Sequence, residues 1–327
     1  MKNAVADFML RSMEQHPLLR WPLPESLVVA PEVSYRNRFA EALSRESPEA
    51  IVSSYVYLTA DAMERLLNLA IRHTGAPRLA GNGIELGAGC ALLSALVARS
   101  RSVDSVLALE VCEKMAELVV PKVSNWILGS KASKVIPVVG SFNDIQLPDC
   151  SLDFALEIDS LHHSGDLERT LRECARVLKP GGVVLCFDRC HPNSVSDVDV
   201  KDMLDMVYSR EFLAANHYPV DINLTRRDNG EHEYRLYEWE RAFAASGLSL
   251  LKTVRFAKAV SIKRAVKSLL AWLSPNLLPR LVSRRARERE ELGLWLRQKW
   301  RQLVPTSFRN GSVLAPKETT VFYLRKS

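Results

Sequence analysis

From residue 81 onward the chain alternates short apolar runs with stretches of helical periodicity. Runs at 83–86, 105–110, 135–139, 152–158 and 182–187 are bounded by turn residues and read as strands. Between them, 92–99, 113–126 and 166–178 carry the spacing of helices. Strands separated by helices imply a parallel sheet covered on both faces, a doubly wound α/β fold. The alternation breaks over 191–232, which is polar and Asn/Asp-rich, with a helix predicted over 199–213. It resumes with a helix at 233–246, stopped by Gly247, a strand at 248–256, and a β-branched, aromatic strand at 318–324.

Upstream, residues 55–73 read as one amphipathic helix with Val56, Met63, Leu66, Leu67, Ala70 and Ile71 on its apolar face, ended by Gly75 and Pro77. Residues 1–50 hold Pro17, Pro22, Pro24, Pro31 and Pro48 and little clean periodicity. The organisation expected is a helical wrap at 1–77 and a core at 78–257 plus 314–327. That core carries a substrate-side insert at 191–232 and a second insert at 258–313.

Charge sets the second insert apart. Residues 258–311 hold thirteen Lys or Arg and three Glu, a net +10 that leaves −4 on the rest of the chain. Apolar faces at 262–273 and 280–303, with Trp272, Trp295 and Trp300, suit a lid over an acidic or lipid-linked substrate, or a peripheral membrane contact. A helical hairpin packed on the body accounts for them at least as well, and nucleic acid ranks below both readings. No apolar run reaches the length of a spanning helix, and the first residues lack the order of a secretory leader. Six cysteines (90, 112, 150, 174, 186 and 190) form no C-x-x-C pair and read as free thiols of a cytoplasmic protein.

The densest chemistry lies in Gly83-Ile84-Glu85-Leu86-Gly87-Ala88-Gly89-Cys90-Ala91, a strand, a small-residue turn and the start of a helix. Such a loop lets a ligand approach the backbone. An acid just ahead of the turn suits a cationic or hydroxyl-rich ligand better than a phosphate. By itself the loop is also compatible with a dinucleotide-dependent oxidoreductase.

Further motifs resolve that choice by resemblance. Glu85-Leu86-Gly87-Ala88-Gly89 resembles motif I of class I S-adenosylmethionine-dependent methyltransferases, of the small-molecule "methyltransferase type 11" group. Glu110 ends the second strand 25 positions later. Gly140-Ser141-Phe142-Asn143-Asp144, with Leu147-Pro148 and Ser151-Leu152-Asp153-Phe154, is similar to the family's GD…LPF…SFD stretch. Leu161-His162-His163 follows, and Arg176-Val177-Leu178-Lys179-Pro180-Gly181-Gly182 resembles its turn into strand five. The resemblance covers 78–190 and the last strand. It implies a Rossmann-like, seven-stranded, mostly parallel sheet, with S-adenosylmethionine held by Glu85, Gly87, Ala88, Gly89, Glu110, Val111, Ser141, Phe142, Asn143, Glu157 and His162. Glu110 would take the ribose hydroxyls. Ala91 stands where a third glycine is usual and Ser141 where an aspartate is, so the adenine contact passes to Asn143 or Asp144.

Methyl transfer to a hydroxyl needs a base at a strand end. His191, His163 and Asp159 are the catalytic candidates, with Asp188 near them and His217 and His232 weaker. One histidine of the 162–163 pair is expected to buttress the pocket. Asp159 and Asp188 are the acids that a magnesium site would use, but no third ligand is evident and no metal is expected. The acceptor expected is a small molecule, a sugar or a lipid-linked glycan methylated on oxygen. Transfer to nitrogen or carbon, and a non-catalytic cofactor-binding role, are the alternatives.

Overall fold

The computed structural model describes residues 18–28, 30–258 and 313–327. These fall into two units, one within 1–254 plus 319–327 and the other within 255–318.

The strands are β1 (Leu19–Arg20), β2 (Gly81–Leu86), β3 (Val103–Glu110), β4 (Val135–Val139), β5 (Leu152–Ile158), β6 (Leu178–Asp188), β7 (Leu248–Lys258), β8 (Val313–Ala315) and β9 (Thr319–Lys326). In the larger unit they lie in the order β1-β4-β3-β2-β5-β6-β9-β7. Pairs from β1 to β6 are parallel, and β9 runs antiparallel to β6. Seven strands from β4 to β7 thus form the mostly parallel sheet that the alternation predicts. In the smaller unit, residues 256–258 pair in parallel with β8.

After one short helical turn at Glu25–Val28, the helices are α1 (Pro31–Leu43), α2 (Pro48–Tyr55), α3 (Ala60–Thr74), α4 (Leu92–Ala98), α5 (Val120–Leu128), α6 (Leu167–Val177), α7 (Asp197–Leu204), α8 (Arg210–Ala215) and α9 (Leu236–Ser246). Central strands covered on both faces read as continuous apolar runs, and β3 and β5 are buried along nearly their whole length. Under α6 and α9 the core gathers Ile84, Leu86, Leu171, Cys174, Trp239 and Phe322. Gly83 is required here: a Cβ would meet the Phe154 ring of the neighbouring strand at 2.1 Å.

Several elements differ from expectation, each for a local reason. The helix predicted over 55–73 starts only at Ala60, because Tyr55 ends the preceding helix and 56–59 turn between the two. Ser47 caps α2, accepting the Ala50 N–H at 3.2 Å, and Thr59 caps α3, accepting the Ala62 N–H at 3.2 Å. The helix at 113–126 opens as a wide π turn, Met115–Val119, ahead of α5, where Pro121 supplies no N–H. The helix predicted over 199–213 breaks after Leu204, because Tyr208 N–H bonds the Leu224 carbonyl at 2.9 Å instead of continuing the turn. Strand β6 starts at Leu178, opposite Leu152, and its register shifts before Val183 joins Phe154. Strand β1 has no counterpart in the sequence reading; it adds to the edge at Val138 and Val139.

The basic insert expected at 258–313, with its three tryptophans, lies outside the described residues, as do residues 1–17. Among the described residues no helix is long and apolar enough to cross a membrane. Four cysteines, 90, 112, 174 and 186, are buried thiols.

Candidate functional site

Strand order reverses at β2, which lies between β3 and β5. In open α/β sheets a crevice forms beyond the carboxyl ends of the strands at such a point. The loop after β2, the end of β3 and the turn after β5 meet there. A Cβ on Gly87, at φ +67°, would meet Ser160 Cβ at 2.5 Å, so the two loops touch backbone to side chain.

The loop is closed by internal bonds. Ala88 N–H donates to the Leu109 carbonyl at 2.8 Å and Ala91 N–H to the Ala88 carbonyl at 2.7 Å. Gly89 N–H donates to Glu110 Oε2 at 2.8 Å, and Cys112 N–H to Glu110 Oε1 at 2.9 Å. Three loop amides are therefore spent, and a buried carboxylate stands beside them. An ionised carboxylate has about four acceptor positions, so each Glu110 oxygen keeps one for a hydroxyl. Such a site disfavours pyrophosphate and suits a hydroxyl-bearing, cationic ligand.

Glu85 and Glu157 turn inward. Glu85 accepts the Ser94 N–H at 2.8 Å and the Ser94 hydroxyl, pinning β2 to α4. Burial pushes its carboxyl up to about 7, against the opposing Ser94 bonds. Glu157 accepts the N–H groups of Ser160 at 2.6 Å and Leu161 at 3.2 Å, and the Cys186 thiol at 2.9 Å. Burial, and then the nearby Asp188, push its carboxyl well above the carboxylate range. In this arrangement the oxygens of Glu157, of which a cofactor contact is expected, organise the turn at 160–161.

The turn at 141–144 is likewise built from its own side chains. Ser141 Oγ accepts the Asn143 N–H at 3.1 Å, and Asn143 Oδ1 accepts the Thr170 hydroxyl. Phe142 packs on the core and lies 3.9 Å from where a Gly87 Cβ would stand. Val111 follows Glu110 at the half-buried bend after β3.

The two adjacent histidines are each held at both ring nitrogens. His162 Nδ1 bonds Asp188 Oδ1 at 2.7 Å and its Nε2 meets Arg189 Nη2 at 2.6 Å. A guanidinium cannot accept, so Nε2 is the acceptor and Nδ1–H the donor. His163 Nε2 meets Arg36 Nη2 at 3.1 Å, while its ring bonds the Gly230 carbonyl. Burial, and then Arg36, lower its basicity well below the usual imidazole range. In this arrangement the accepting nitrogen of His163, one of the catalytic candidates, faces the Arg36 cation.

Asp188 spends its carboxylate on His162 and on the Arg189 N–H at 2.6 Å. Asp159 sits at φ +50°, a left-handed position that aspartate tolerates, and its N–H ties β5 to the Phe187 carbonyl at 2.9 Å. His191 Nε2 bonds Glu233, so its remaining nitrogen, Nδ1, is the one able to act as base. Glu233 and Glu231 face Arg189 and Arg226. Burial raises both carboxyls, and the arginines, with His191 on Glu233 and Tyr208 on Glu231, outweigh it and bring each down to about 2. His232 bonds the His162 carbonyl at 3.1 Å, and the His217 ring lies 5.7 Å from Phe39.

Sequence reasoning expected a helical wrap at 1–77 but placed none of its residues at the site. The Tyr55 ring lies on the glycine loop: a Cβ on Gly89 would meet Tyr55 Cε1 at 2.5 Å. Phe39 stacks on Tyr55 at 6.2 Å, and the Tyr35 ring meets Tyr218 tilted at 4.9 Å. The signals were Pro31 at the start of α1 and Ser47-Pro48-Glu49 at the start of α2, both helix openings.

Residues 84–186 match the family model described as "Methyltransferase domain". That stretch of the chain is a methyltransferase domain. Dependence on S-adenosylmethionine is general in that family. The chain is 32% identical over 94 residues to the glycine/sarcosine/dimethylglycine N-methyltransferase of Actinopolyspora halophila, covering 29% of this chain and 17% of that protein. It is 36% identical over 72 residues to malonyl-[acyl-carrier protein] O-methyltransferase 1 of Coxiella burnetii, covering 22% and 24%. The chain thus spans a quarter or less of these relatives' own lengths. The solved structure of the [4+2]-cyclase SpnF is 15% identical, with a TM-score of 0.50 over 93% of this chain and 98% of that one. At that identity the likeness describes the fold of the methyltransferase domain and its flanks, not a reaction.

Proposed function

We propose that the chain binds S-adenosylmethionine at the β2–β3 crevice and transfers its methyl group to a small-molecule acceptor. The observation that carries this reading is Glu110. Its buried carboxylate is fixed by Gly89 and Cys112, and each oxygen keeps an acceptor position for a ribose hydroxyl. The bound cofactor would supply an electrophilic methyl on a sulfonium. The loop's spent amides and the acids beside it favour that cation over a pyrophosphate. Tyr55 covers the loop at Gly89, and Phe39 stacks on Tyr55 from behind.

His191 is the base of this proposal: Glu233 holds Nε2–H, leaving Nδ1 to take a proton, the arrangement by which a carboxylate orients a histidine. Relatives are named as glycine/sarcosine/dimethylglycine N-methyltransferase and as malonyl-[acyl-carrier protein] O-methyltransferase, so both nitrogen and oxygen acceptors occur among them. Both nucleophiles fit in-line displacement, so the proposal rests on a small heteroatom acceptor. Calorimetry with S-adenosylmethionine tests the cofactor. Labelled cofactor incubated with the protein and extract of its own cell tests the transfer. No binding at millimolar cofactor sinks the reading, and binding without any labelled product leaves a cofactor-binding protein.

A further inference from the structure

Glu233 is shared between two cations and one imidazole. Its Oε1 accepts from Arg189 Nη1 at 3.1 Å and from Arg226 Nη2, while its Oε2 faces His191 Nε2. The side chain is 2% exposed, and an ionised carboxylate at that depth is costly unless cations meet it. The two arginines differ in their other bonds. Arg189 is divided, with Nη2 spent on His162 Nε2 at 2.6 Å. Among the described residues, the Arg226 guanidinium bonds two acids alone: Glu231, at 2.9 Å from Nε and 2.7 Å from Nη2, and Glu233.

Arg226 is fixed from within the insert. Its N–H donates to the Met206 carbonyl at 3.0 Å, and its own carbonyl accepts the Glu231 N–H at 3.1 Å. The Thr225 hydroxyl closes the turn around it by donating to Asp228 Oδ2 at 2.6 Å. His191 is fixed separately: its N–H donates to the Tyr234 carbonyl at 2.9 Å, and its carbonyl accepts the Leu236 N–H at 2.9 Å. With both backbones held, the guanidinium sets the carboxylate and the carboxylate sets the ring. The other titratable groups close by have partners of their own. Tyr208 donates to Glu231, Asp188 accepts from His162 and the Arg189 N–H, and the Cys190 thiol donates to the His191 carbonyl at 3.7 Å.

We infer that Arg226 is a positioning residue for methyl transfer, holding Glu233 by one oxygen so that the other fixes His191 with Nδ1 bare. The inference rests on the reading of His191 as base, and it makes the insert part of the proton-transfer machinery. Two effects of Arg226 are separable. Its planar fork bridges two carboxylates at once, which a lysine ammonium does not reproduce. Its charge opposes protonation of the imidazole, so removing that charge makes His191 more basic.

The experiment is nitrogen-15 spectroscopy of the histidine-labelled full chain across pH, in the wild type, Arg226→Gln and Arg226→Lys. His191→Gln identifies the His191 signals among those of seven histidines, and cooperative urea unfolding checks each fold. The wild type should show a single Nε2–H tautomer at His191. In Arg226→Gln the tautomers should mix and the His191 midpoint should rise by at least roughly half a pH unit, the effect of one charge lost across a carboxylate. Arg226→Lys should restore the wild-type midpoint and leave the tautomers mixed. An arginine with a structural role alone would lower stability and leave the His191 titration of the folded variants as it is in the wild type, and that result overturns the inference. If Arg226→Gln does not fold, Arg226→Lys decides: mixed tautomers support the inference and a single Nε2–H tautomer overturns it. The base reading is tested apart, with labelled S-adenosylmethionine and extract of the protein's own cell. Wild-type label transfer by His191→Gln overturns that reading, whatever the spectra of the Arg226 variants.

Discussion

Glu110 Oε2 accepts the Gly89 N–H at 2.8 Å, joining the end of β3 to the turn after β2. One side chain thereby fixes the loop and offers its remaining lone pairs to a ligand. In Glu110→Gln, one oxygen is replaced by an amide nitrogen that can satisfy neither the Gly89 nor the Cys112 N–H. S-adenosylmethionine affinity should fall at least tenfold and stability by about 1–3 kcal/mol for the orphaned donor. Calorimetry and urea unfolding measure the two effects separately. A dissociation constant equal to the wild type's would remove Glu110 from ribose recognition.

The Tyr55 ring packs where a Gly89 Cβ would stand, with Cε1 at 2.5 Å from that position. Gly89→Ala should therefore cost more than the roughly 1–2 kcal/mol of a left-handed alanine at φ +53°. Most of the excess should vanish in a Tyr55→Ala background, where the ring is gone. A double-mutant cycle on unfolding free energies gives the coupling. Strict additivity would mean that α2 does not rest on the loop in solution.

The strands, their order of appearance and the loop were legible because buried parallel strands and small-residue turns leave strong local marks. Residues 152–158 matched to the residue for that reason. Glu110 was legible by its position at the end of such a strand. The roof was not. Tyr35, Arg36, Phe39 and Tyr55 gain their meaning from contacts with Tyr218, His163, His217 and Gly89. These partners lie 34 to 183 positions away in the sequence, and no periodicity reports such pairings. The roles of His162 and His163 were equally hidden, because the arginines that fix their tautomers, Arg189 and Arg36, come from unrelated segments.

Glu85 makes stability depend on pH with a definite sign. Burial raises its folded carboxyl from 4.5 to about 7, so between those values the native state binds more protons than the unfolded chain. Stability contributed at this site is complete below about pH 4.5 and declines as pH rises toward 7, by about 3 kcal/mol in all. Glu85→Gln keeps an acceptor for Ser94 and does not titrate. The difference in unfolding free energy, wild type minus Glu85→Gln, should fall steadily from pH 5 to pH 7.5. A flat difference would show that Glu85 is ionised in the fold throughout.

Asp188 is buried, and its two oxygens accept the His162 ring at 2.7 Å, the His162 N–H at 2.9 Å and the Arg189 N–H at 2.6 Å. Arg189 closes the circuit on His162 Nε2. Removing the acid leaves Arg189 a charge with Glu231 and Glu233 still beside it, but strips the imidazole of the partner that selects its tautomer. Asp188→Ala should destabilise by about 3–5 kcal/mol, the cost of breaking a buried charged network on one side. Asp188→Asn retains one acceptor and should lose less. The sharper readout is the nitrogen-15 shift of the His162 ring, which reports a single Nδ1–H tautomer in the wild type and a mixture in Asp188→Asn. A wild-type ring already mixed, or protonated at neutral pH, would contradict the Asp188–His162–Arg189 assignment whatever the unfolding data show.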